Sequence, residues 1–134
     1  SAIVTPPAAL AAGGAGATGG TSTRWQPWSE PQVAALTASG QPVFVDFTAA
    51  WCVTCQVNKK TTLSNSGVLA DFDSRKVALL RADWTRRDPA ITAALAALGR
   101  NGVPVYVLYR PGQTPLVMTE ILTPGEVRAA LATL

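Results

Sequence analysis

The stretch Trp51-Cys52-Val53-Thr54-Cys55 contains the only two cysteines of the chain and follows shortly after the apolar run 42–48. Two thiols separated by two residues can form a disulfide with each other and break it again. A purely structural disulfide is the weaker interpretation, because a cross-link across two intervening residues closes almost no loop and stabilises little. The pair therefore makes dithiol–disulfide exchange the first hypothesis for function.

Strands and helices are predicted to alternate outward from this motif. The run 42–48 is typical of a strand that is buried on both faces. Further strands are predicted at 77–83, 103–109 and 116–119, with a weak edge strand around 23–25. Helices are predicted at 29–40, from about Cys52 to Leu63, as a short turn at 67–72, at 88–99 and at 123–134. This order predicts an α/β fold with a mixed central sheet of four to five strands, the last two of them paired as a hairpin.

Charge divides the chain into two parts. All 11 basic and 8 acidic residues lie in 24–134, whereas residues 1–23 carry no charge and are dominated by Ala, Gly, Thr and Pro. We expect residues 1–23 to be a flexible linker or tail and residues 24–134 to be one folded domain. The start shows neither the basic region nor the long apolar block of a signal peptide, so we expect a mature protein or an excised domain.

Composition argues against several classes of function. The net charge of +3 is small and its basic residues are scattered, so a nucleic-acid partner is not expected. No apolar run approaches the ~20 residues of a membrane span. Histidine is absent, which excludes Cys–His catalysis and most catalytic zinc sites. We expect no metal or cofactor other than the cysteine pair itself.

The two cysteines are expected to have different roles. Cys52 is predicted in the first turn of a helix, where free backbone N–H groups and the helix dipole favour a thiolate. Because the thiolate is the reactive form, Cys52 is the candidate attacking sulfur. Cys55 lies one turn further in and should be less exposed, which makes it the candidate resolving thiol.

Three other residues near the pair are candidates for the site. Asp46 interrupts the apolar strand, and burial should raise the pKa of its carboxyl group. It could accept the proton of Cys55, or it could be a structural residue whose oxygens accept backbone hydrogen bonds. Pro104 stands at the start of a predicted strand, where a missing N–H is tolerated. Trp51 borders Cys52 and would shield it, contact a partner or cover the core.

Taken together, these segments resemble the C-terminal periplasmic domain of the DsbD family, the thiol:disulfide interchange proteins. The resemblance covers roughly residues 24–134 and is carried by Val45-Asp46-Phe47-Thr48-Ala49, the Trp-Cys-x-x-Cys motif, Arg81-Ala82-Asp83-Trp84-Thr85 and Gly102-Val103-Pro104-Val105-Tyr106. It implies a thioredoxin-like fold and protein-disulfide reductase activity. It also implies an attacking Cys52, a resolving Cys55, a tuning acid at Asp46, and Trp51 and Val103 as contacts to the substrate. The Val103–Pro104 bond would be cis and would lie against the disulfide.

The resemblance further implies a relay of electrons. The transmembrane domain of the same full-length protein, itself supplied by cytoplasmic thioredoxin, would reduce this domain. The domain would then reduce the N-terminal periplasmic domain, which acts on disulfide isomerases and cytochrome c maturation factors. Residues 1–23 would be the tether from the last membrane helix of a bacterial inner-membrane protein. The domain would lie in the periplasm as a monomer.

One position departs from the family pattern. Some members carry a glutamate four residues after the second cysteine, where this chain has Lys59. If Lys59 points towards the sulfurs, it would favour the thiolate instead of opposing it. Three alternatives stay open: a related suppressor-of-copper-sensitivity type of reductase, a free thioredoxin-like oxidase or isomerase, and a non-catalytic thioredoxin-fold binding module with a structural disulfide.

Overall fold

Five strands form a single sheet at the centre of the computed structural model, which describes residues 24–134. The predicted linker 1–23 lies outside the described residues. The order of the strands across the sheet is β1-β3-β2-β4-β5. The strands are β1 (Gln26–Pro27), β2 (Val43–Thr48), β3 (Ala78–Asp83), β4 (Val105–Tyr109) and β5 (Leu116–Val117).

Five helices flank this sheet in the described part of the chain. They are α1 (Glu30–Ala38), α2 (Val53–Thr61), α3 (Ser66–Ser74), α4 (Pro89–Ala97) and α5 (Pro124–Leu131). Three of them begin with proline in the first turn, after the N-cap residues Ser29, Asp88 and Thr123. Each of these caps accepts a hydrogen bond from a backbone N–H that has no partner within the helix. The predicted helix starts at these three positions are confirmed.

The sheet is mixed, as predicted. Strand β3 runs parallel to both β1 and β2, whereas β4 is antiparallel to β2 and to β5. The predicted hairpin is thus the pair β4–β5. The register places Asp46 of β2 between Arg81 of β3 and Tyr106 of β4. This register brings a carboxylate, a guanidinium and a phenol side by side across three strands.

Every residue of β2 is buried, which confirms a strand covered on both faces. One face packs against α3 and α5, with Phe44, Phe72 and Leu131 among its core residues. The opposite face packs against α1 and α4 through residues such as Phe47 and Leu95. The central strand that leads into the Cys motif is therefore fixed from both sides.

Some element boundaries differ from the prediction. The edge strand is at 26–27 and not at 23–25, since its position depends on pairing with Leu80 and Arg81. The predicted short turn at 67–72 is a full helix, because the side chain of Asn65 caps its first turn. Strand β4 begins only after Pro104, which has no N–H to donate.

No helix within residues 24–134 is long and apolar enough to cross a membrane.

Candidate redox site

A disulfide joins Cys52 and Cys55 at the start of α2, with their Cα atoms 5.2 Å apart. Cys52 is the N-cap of the helix, and its Sγ accepts a hydrogen bond from the backbone N–H of Cys55 at 3.1 Å. Cys52 is the cysteine that faces solvent, with 7% of its surface exposed, whereas Cys55 is fully buried. An incoming group would therefore reach the Cys52 sulfur first.

Two apolar residues pack against this pair. Ala49, which accepts a hydrogen bond from the backbone N–H of Cys52 at 3.1 Å, and Val103 form a small cluster with the two cysteines. The peptide bond between Val103 and Pro104 is cis. The loop that precedes β4 therefore borders the disulfide.

Asp46 is buried in β2 and forms an ion pair with the neighbouring strand. Its Oδ2 accepts a hydrogen bond from Nε of Arg81 at 3.0 Å, while Oδ1 has no hydrogen-bond partner among residues 24–134. Burial raises the pKa of the Asp46 carboxyl group, and the charge of Arg81 opposes that rise. The direction of this pKa shift agrees with the prediction. The structural alternative for Asp46 named backbone N–H groups as donors, whereas the donor in the structure is the Arg81 side chain.

Lys59 brings a second cation to the same acid. It lies on α2 one turn after Cys55 and is half-buried. Burial lowers the pKa of the Lys59 ammonium, and the negative charges of Asp46 and Asp83 partly restore it. The charge of Lys59 therefore acts on Asp46, which is the candidate tuning acid.

A buried amide anchors the body of α2. Asn58 donates through Nδ2 to the hydroxyl of Tyr106 at 2.9 Å and to the carbonyl of Glu120 at 2.8 Å. Its Oδ1 accepts from the backbone N–H of Leu122 at 3.3 Å. Burial, together with the charge of Asp46, raises the pKa of the Tyr106 phenol, so its hydroxyl stays protonated. Asn58 thus ties the Cys-bearing helix to β4 and to the loop before α5.

Trp51 lies beside the disulfide with about half of its surface in solvent. It is 49% exposed, and its indole Nε1 donates to the carbonyl of Thr85 at 3.1 Å. The guanidinium of Arg87 lies 5.0 Å from the centre of its ring. About half of this side chain, which directly precedes Cys52, is therefore open to solvent.

The structure brings most of the predicted residues to one end of the sheet. Cys52, Cys55 and Val103 are in contact, with Trp51 adjoining Cys52.

Sequence reasoning missed the contacts that Arg81, Asn58 and Thr85 make around this site. A charged residue inside an otherwise apolar strand was the available signal for Arg81, because the same signal had identified Asp46.

A Cys-x-x-Cys disulfide at the first turn of a helix, shortly after the central strand of such a sheet, defines a thiol-disulfide oxidoreductase with a thioredoxin fold. Residues 24–111 match the model of the thioredoxin-like family, and the chain belongs to that family.

Comparison with individual proteins narrows the resemblance to the DsbD C-terminal domain. Thiol:disulfide interchange protein DsbD 1 of Pseudomonas aeruginosa is 29% identical over an alignment of 115 residues, which covers 82% of this chain and 19% of that protein. DsbD of Ralstonia nicotianae is 35% identical over 77 residues, 58% of this chain and 12% of that protein. The chain thus spans about a fifth or less of the length of these curated relatives.

Solved structures share the fold. The reduced DsbD C-terminal domain of Neisseria meningitidis superposes with a TM-score of 0.61 at 22% identity, covering 75% of this chain and 87% of that one. A thioredoxin from Thermus thermophilus gives a TM-score of 0.63 at 23% identity, covering 82% and 85% respectively. At these identities the superpositions support the fold alone.

Proposed function

We propose that this domain is a protein-disulfide reductase that relays electrons from one protein dithiol to another protein disulfide. The observation that carries the proposal is the arrangement of the two sulfurs. Cys52 caps the helix at the solvent side, and Cys55 is completely buried one turn behind it. This arrangement suits a reaction in which one sulfur attacks and the other resolves.

The forward reaction has two exchange steps. In the reduced domain, the Cys52 thiolate attacks one sulfur of the partner disulfide, so a mixed disulfide forms and the partner releases one thiolate. Cys55 then loses its proton and attacks Cys52, which closes the Cys52–Cys55 disulfide and releases the second partner thiolate. Two electrons pass to the partner, whose thiolates take up two protons. A donor dithiol reverses both steps and reduces the domain again.

Asp46 is proposed as the acid that tunes this reaction. Its carboxyl group is buried at the centre of the sheet, and one of its oxygens has no hydrogen-bond partner in the part of the chain that the structure describes. Burial raises the pKa of the Asp46 carboxyl group, so it accepts a proton more readily than an exposed carboxylate, and the second step needs an acceptor for the proton of Cys55. Val103, which packs against the disulfide, and Trp51, which precedes Cys52, would contact the substrate, and Pro104 would act as the cis proline of the site.

The proposed partners follow from the resemblance to DsbD. A membrane-embedded domain of the same full-length protein would supply the electrons, and its N-terminal periplasmic domain would receive them. Residues 1–23 would be the tether to the membrane domain, and residues 24–134 would work as a monomer in the periplasm. The small share of the relatives' length that this chain covers supports a multidomain context.

A trapping experiment tests the relay. In the Cys55→Ala variant the mixed disulfide on Cys52 cannot be resolved, so it should accumulate with the recipient domain and be visible on a non-reducing gel. Cys52→Ser should form no such adduct and should not reduce insulin. An adduct-free Cys55→Ala variant would overturn the proposal.

The reduction potential separates the relay from an oxidase or isomerase. A value near that of thioredoxin, about −270 mV, supports a reductase, whereas a value near about −120 mV supports an oxidase. A non-catalytic binding module would show no turnover in the insulin assay. A reductase of the copper-sensitivity-suppressor type would trap a different recipient domain.

A further inference from the structure

One residue, Thr85, holds two consecutive residues of the segment that leads into Cys52. Its hydroxyl oxygen accepts a hydrogen bond from the backbone N–H of Ala50 at 2.8 Å. Its carbonyl oxygen accepts from the indole Nε1 of Trp51 at 3.1 Å. Ala50 and Trp51 lie between β2 and α2, outside any regular element. Because such residues have no ladder partners, these two bonds help to fix where the segment lies relative to the turn after β3.

The Thr85 hydroxyl is itself oriented by Asp83. Both the backbone N–H and the hydroxyl of Thr85 donate to Oδ1 of Asp83, the former at 3.0 Å. A hydroxyl whose proton is engaged in this way presents a lone pair to the N–H of Ala50. The same hydroxyl lowers the pKa of the Asp83 carboxyl group, which keeps it an ionised acceptor. Asp83 ends β3 opposite Thr48, so the orienting group is anchored in the sheet.

The ring of Trp51 is also held from its sides. It lies 6.0 Å from the ring of Trp84, measured between centroids. The guanidinium of Arg87 lies 5.0 Å from the Trp51 ring and 4.8 Å from that of Trp84. Trp84 is fixed in turn by a 2.8 Å hydrogen bond from its Nε1 to the hydroxyl of Thr92. The turn after β3 therefore contacts both residues that directly precede Cys52, Ala50 and Trp51.

We propose that Thr85 is a positioning residue for thiol–disulfide exchange, one that keeps Cys52 at the N-terminus of α2 when the disulfide opens. The inference rests on the proposed function, because the position of Cys52 matters only if Cys52 attacks. In the oxidised domain the bond to Cys55 restrains Cys52, and reduction removes that restraint. The contacts of Ala50 and Trp51 then hold the sulfur beside the free N–H groups that favour its thiolate.

The test compares substitutions of Thr85 in the reduced domain. Thr85→Val keeps the shape and the carbonyl but removes the hydroxyl, whereas Thr85→Ser keeps the hydroxyl. We expect Thr85→Val to slow the alkylation of Cys52 at pH 7 by about two- to fivefold, the size expected for the loss of one hydrogen bond. The midpoint of its pH–rate profile should rise, and Thr85→Ser should restore both values.

A second variant and a matched control complete the test. Asp83→Asn keeps the side-chain oxygen that accepts from Thr85 and removes one negative charge, so it should not slow alkylation. Thr37→Val removes a hydroxyl that donates to carbonyls of its own helix, Val33 at 2.9 Å and Ala34 at 3.2 Å, and should leave the rate unchanged. Unfolding in urea, measured on every variant, separates a general loss of stability from a change at Cys52.

The outcomes are distinguishable. A Thr85→Val variant with the wild-type rate and midpoint overturns the positioning role, as does an equal slowing in Thr37→Val. Those results would leave the reductase proposal standing, because wild-type activity does not depend on them. If the wild-type domain reduces no protein disulfide, the proposed function fails and the role of Thr85 fails with it.

Discussion

Asp46 and Arg81 stand opposite each other in the parallel register of β2 and β3, and Nε of Arg81 donates to Oδ2 of Asp46 at 3.0 Å. The carboxylate is fully buried, while the arginine side chain is 30% exposed and reaches over the ring of Trp25. The partly exposed Arg81 thus places a positive charge beside an acid at the centre of the sheet. Removal of Arg81 and removal of Asp46 should therefore have different consequences, because only the Asp46 side chain is shielded from water.

Removal of Arg81 should destabilise the fold. Arg81→Gln leaves the buried carboxylate without the cation that is hydrogen-bonded to it, and breaking such a pair costs up to about 3–5 kcal/mol when both groups are buried. Since Arg81 is partly exposed, we expect a decrease of about 1–3 kcal/mol in the free energy of unfolding at pH 7. Urea denaturation followed by circular dichroism measures this decrease in the free energy of unfolding.

The control for this change is Arg128→Gln. Arg128 pairs with Asp71 at 2.8 Å, and both side chains are at least partly exposed, so its loss should cost less than about 1 kcal/mol. Equal losses in the two variants would contradict a special role for the buried pair. In the double variant Asp46→Asn, Arg81→Gln, most of the stability lost in Arg81→Gln should return.

The raised pKa of Asp46 predicts a pH-dependent stability. The folded state holds the proton of the Asp46 carboxyl group more tightly than the unfolded chain does. The free energy of unfolding therefore falls as pH rises from the unfolded pKa of about 3.8 through the folded pKa. Asp46→Asn removes this loss. The stability of Asp46→Asn relative to wild type should therefore increase with pH and level off above the folded pKa.

Urea denaturation between pH 4 and pH 8 tests this difference. The charged and titratable groups that act on Asp46 are Arg81, Lys59 and Tyr106, whose phenol has a raised pKa. Titrations elsewhere in the protein are common to both proteins and cancel. A difference that stays constant with pH, or decreases as pH rises, would show that Asp46 is not the group responsible.

The fold was predictable to the extent that local pattern specifies it. The apolar run before the Cys motif identified β2, and side-chain caps located the starts of α1, α4 and α5. Boundaries that depend on a distant partner were wrong. Gln26 and Pro27 form an edge strand because Leu80 and Arg81 lie beside them, which no pattern around residue 26 records.

The site was predictable in its chemistry and not in its supporting contacts. The cysteine pair and the buried Asp46 stand out within a few residues of each other in the sequence. Arg81 and Thr85 lie some thirty positions away, and only the parallel register of β2 and β3 brings them to the same end of the sheet. Predicting such contacts requires the register, which sequence pattern leaves open for a strand buried on both faces.

The charge of Lys59 should influence Cys52. Lys59→Glu places a third carboxylate near Asp46 and Asp83, which disfavours any further negative charge at this end of the sheet. We expect the pH midpoint of Cys52 alkylation in the reduced domain to rise by roughly half a unit. Mass spectrometry of the iodoacetamide adduct identifies which cysteine reacts.

Lys60→Glu is the matched control. It changes the net charge by the same amount at the next residue, which is exposed to solvent. Screening by water and salt should leave the midpoint of this variant close to that of wild type. Equal shifts in both variants would mean that net charge, and not the position of Lys59, sets the reactivity of Cys52.

Asn58 is expected to determine how firmly the Cys-bearing helix is attached. Asn58→Ala leaves the carbonyl of Glu120 and the N–H of Leu122 without the partners they have in the wild type, and buried polar groups without partners cost about 1–3 kcal/mol each. We expect the free energy of unfolding to fall by about 2–4 kcal/mol in urea. Asn58→Asp, which keeps the acceptor for Leu122 but removes both donated bonds and adds a buried charge, should be no better.

The control for Asn58 is Thr61→Ala on the same helix. The Thr61 hydroxyl donates to the carbonyl of Val57 on the exposed side, so its removal should change the free energy of unfolding by less than about 0.5 kcal/mol. Tyr106→Phe should cost less than Asn58→Ala, because Nδ2 of Asn58 keeps its bond to Glu120. If Asn58→Ala is as stable as Thr61→Ala, packing alone holds α2 to the sheet, and the amide is not what fixes the cysteines above β4.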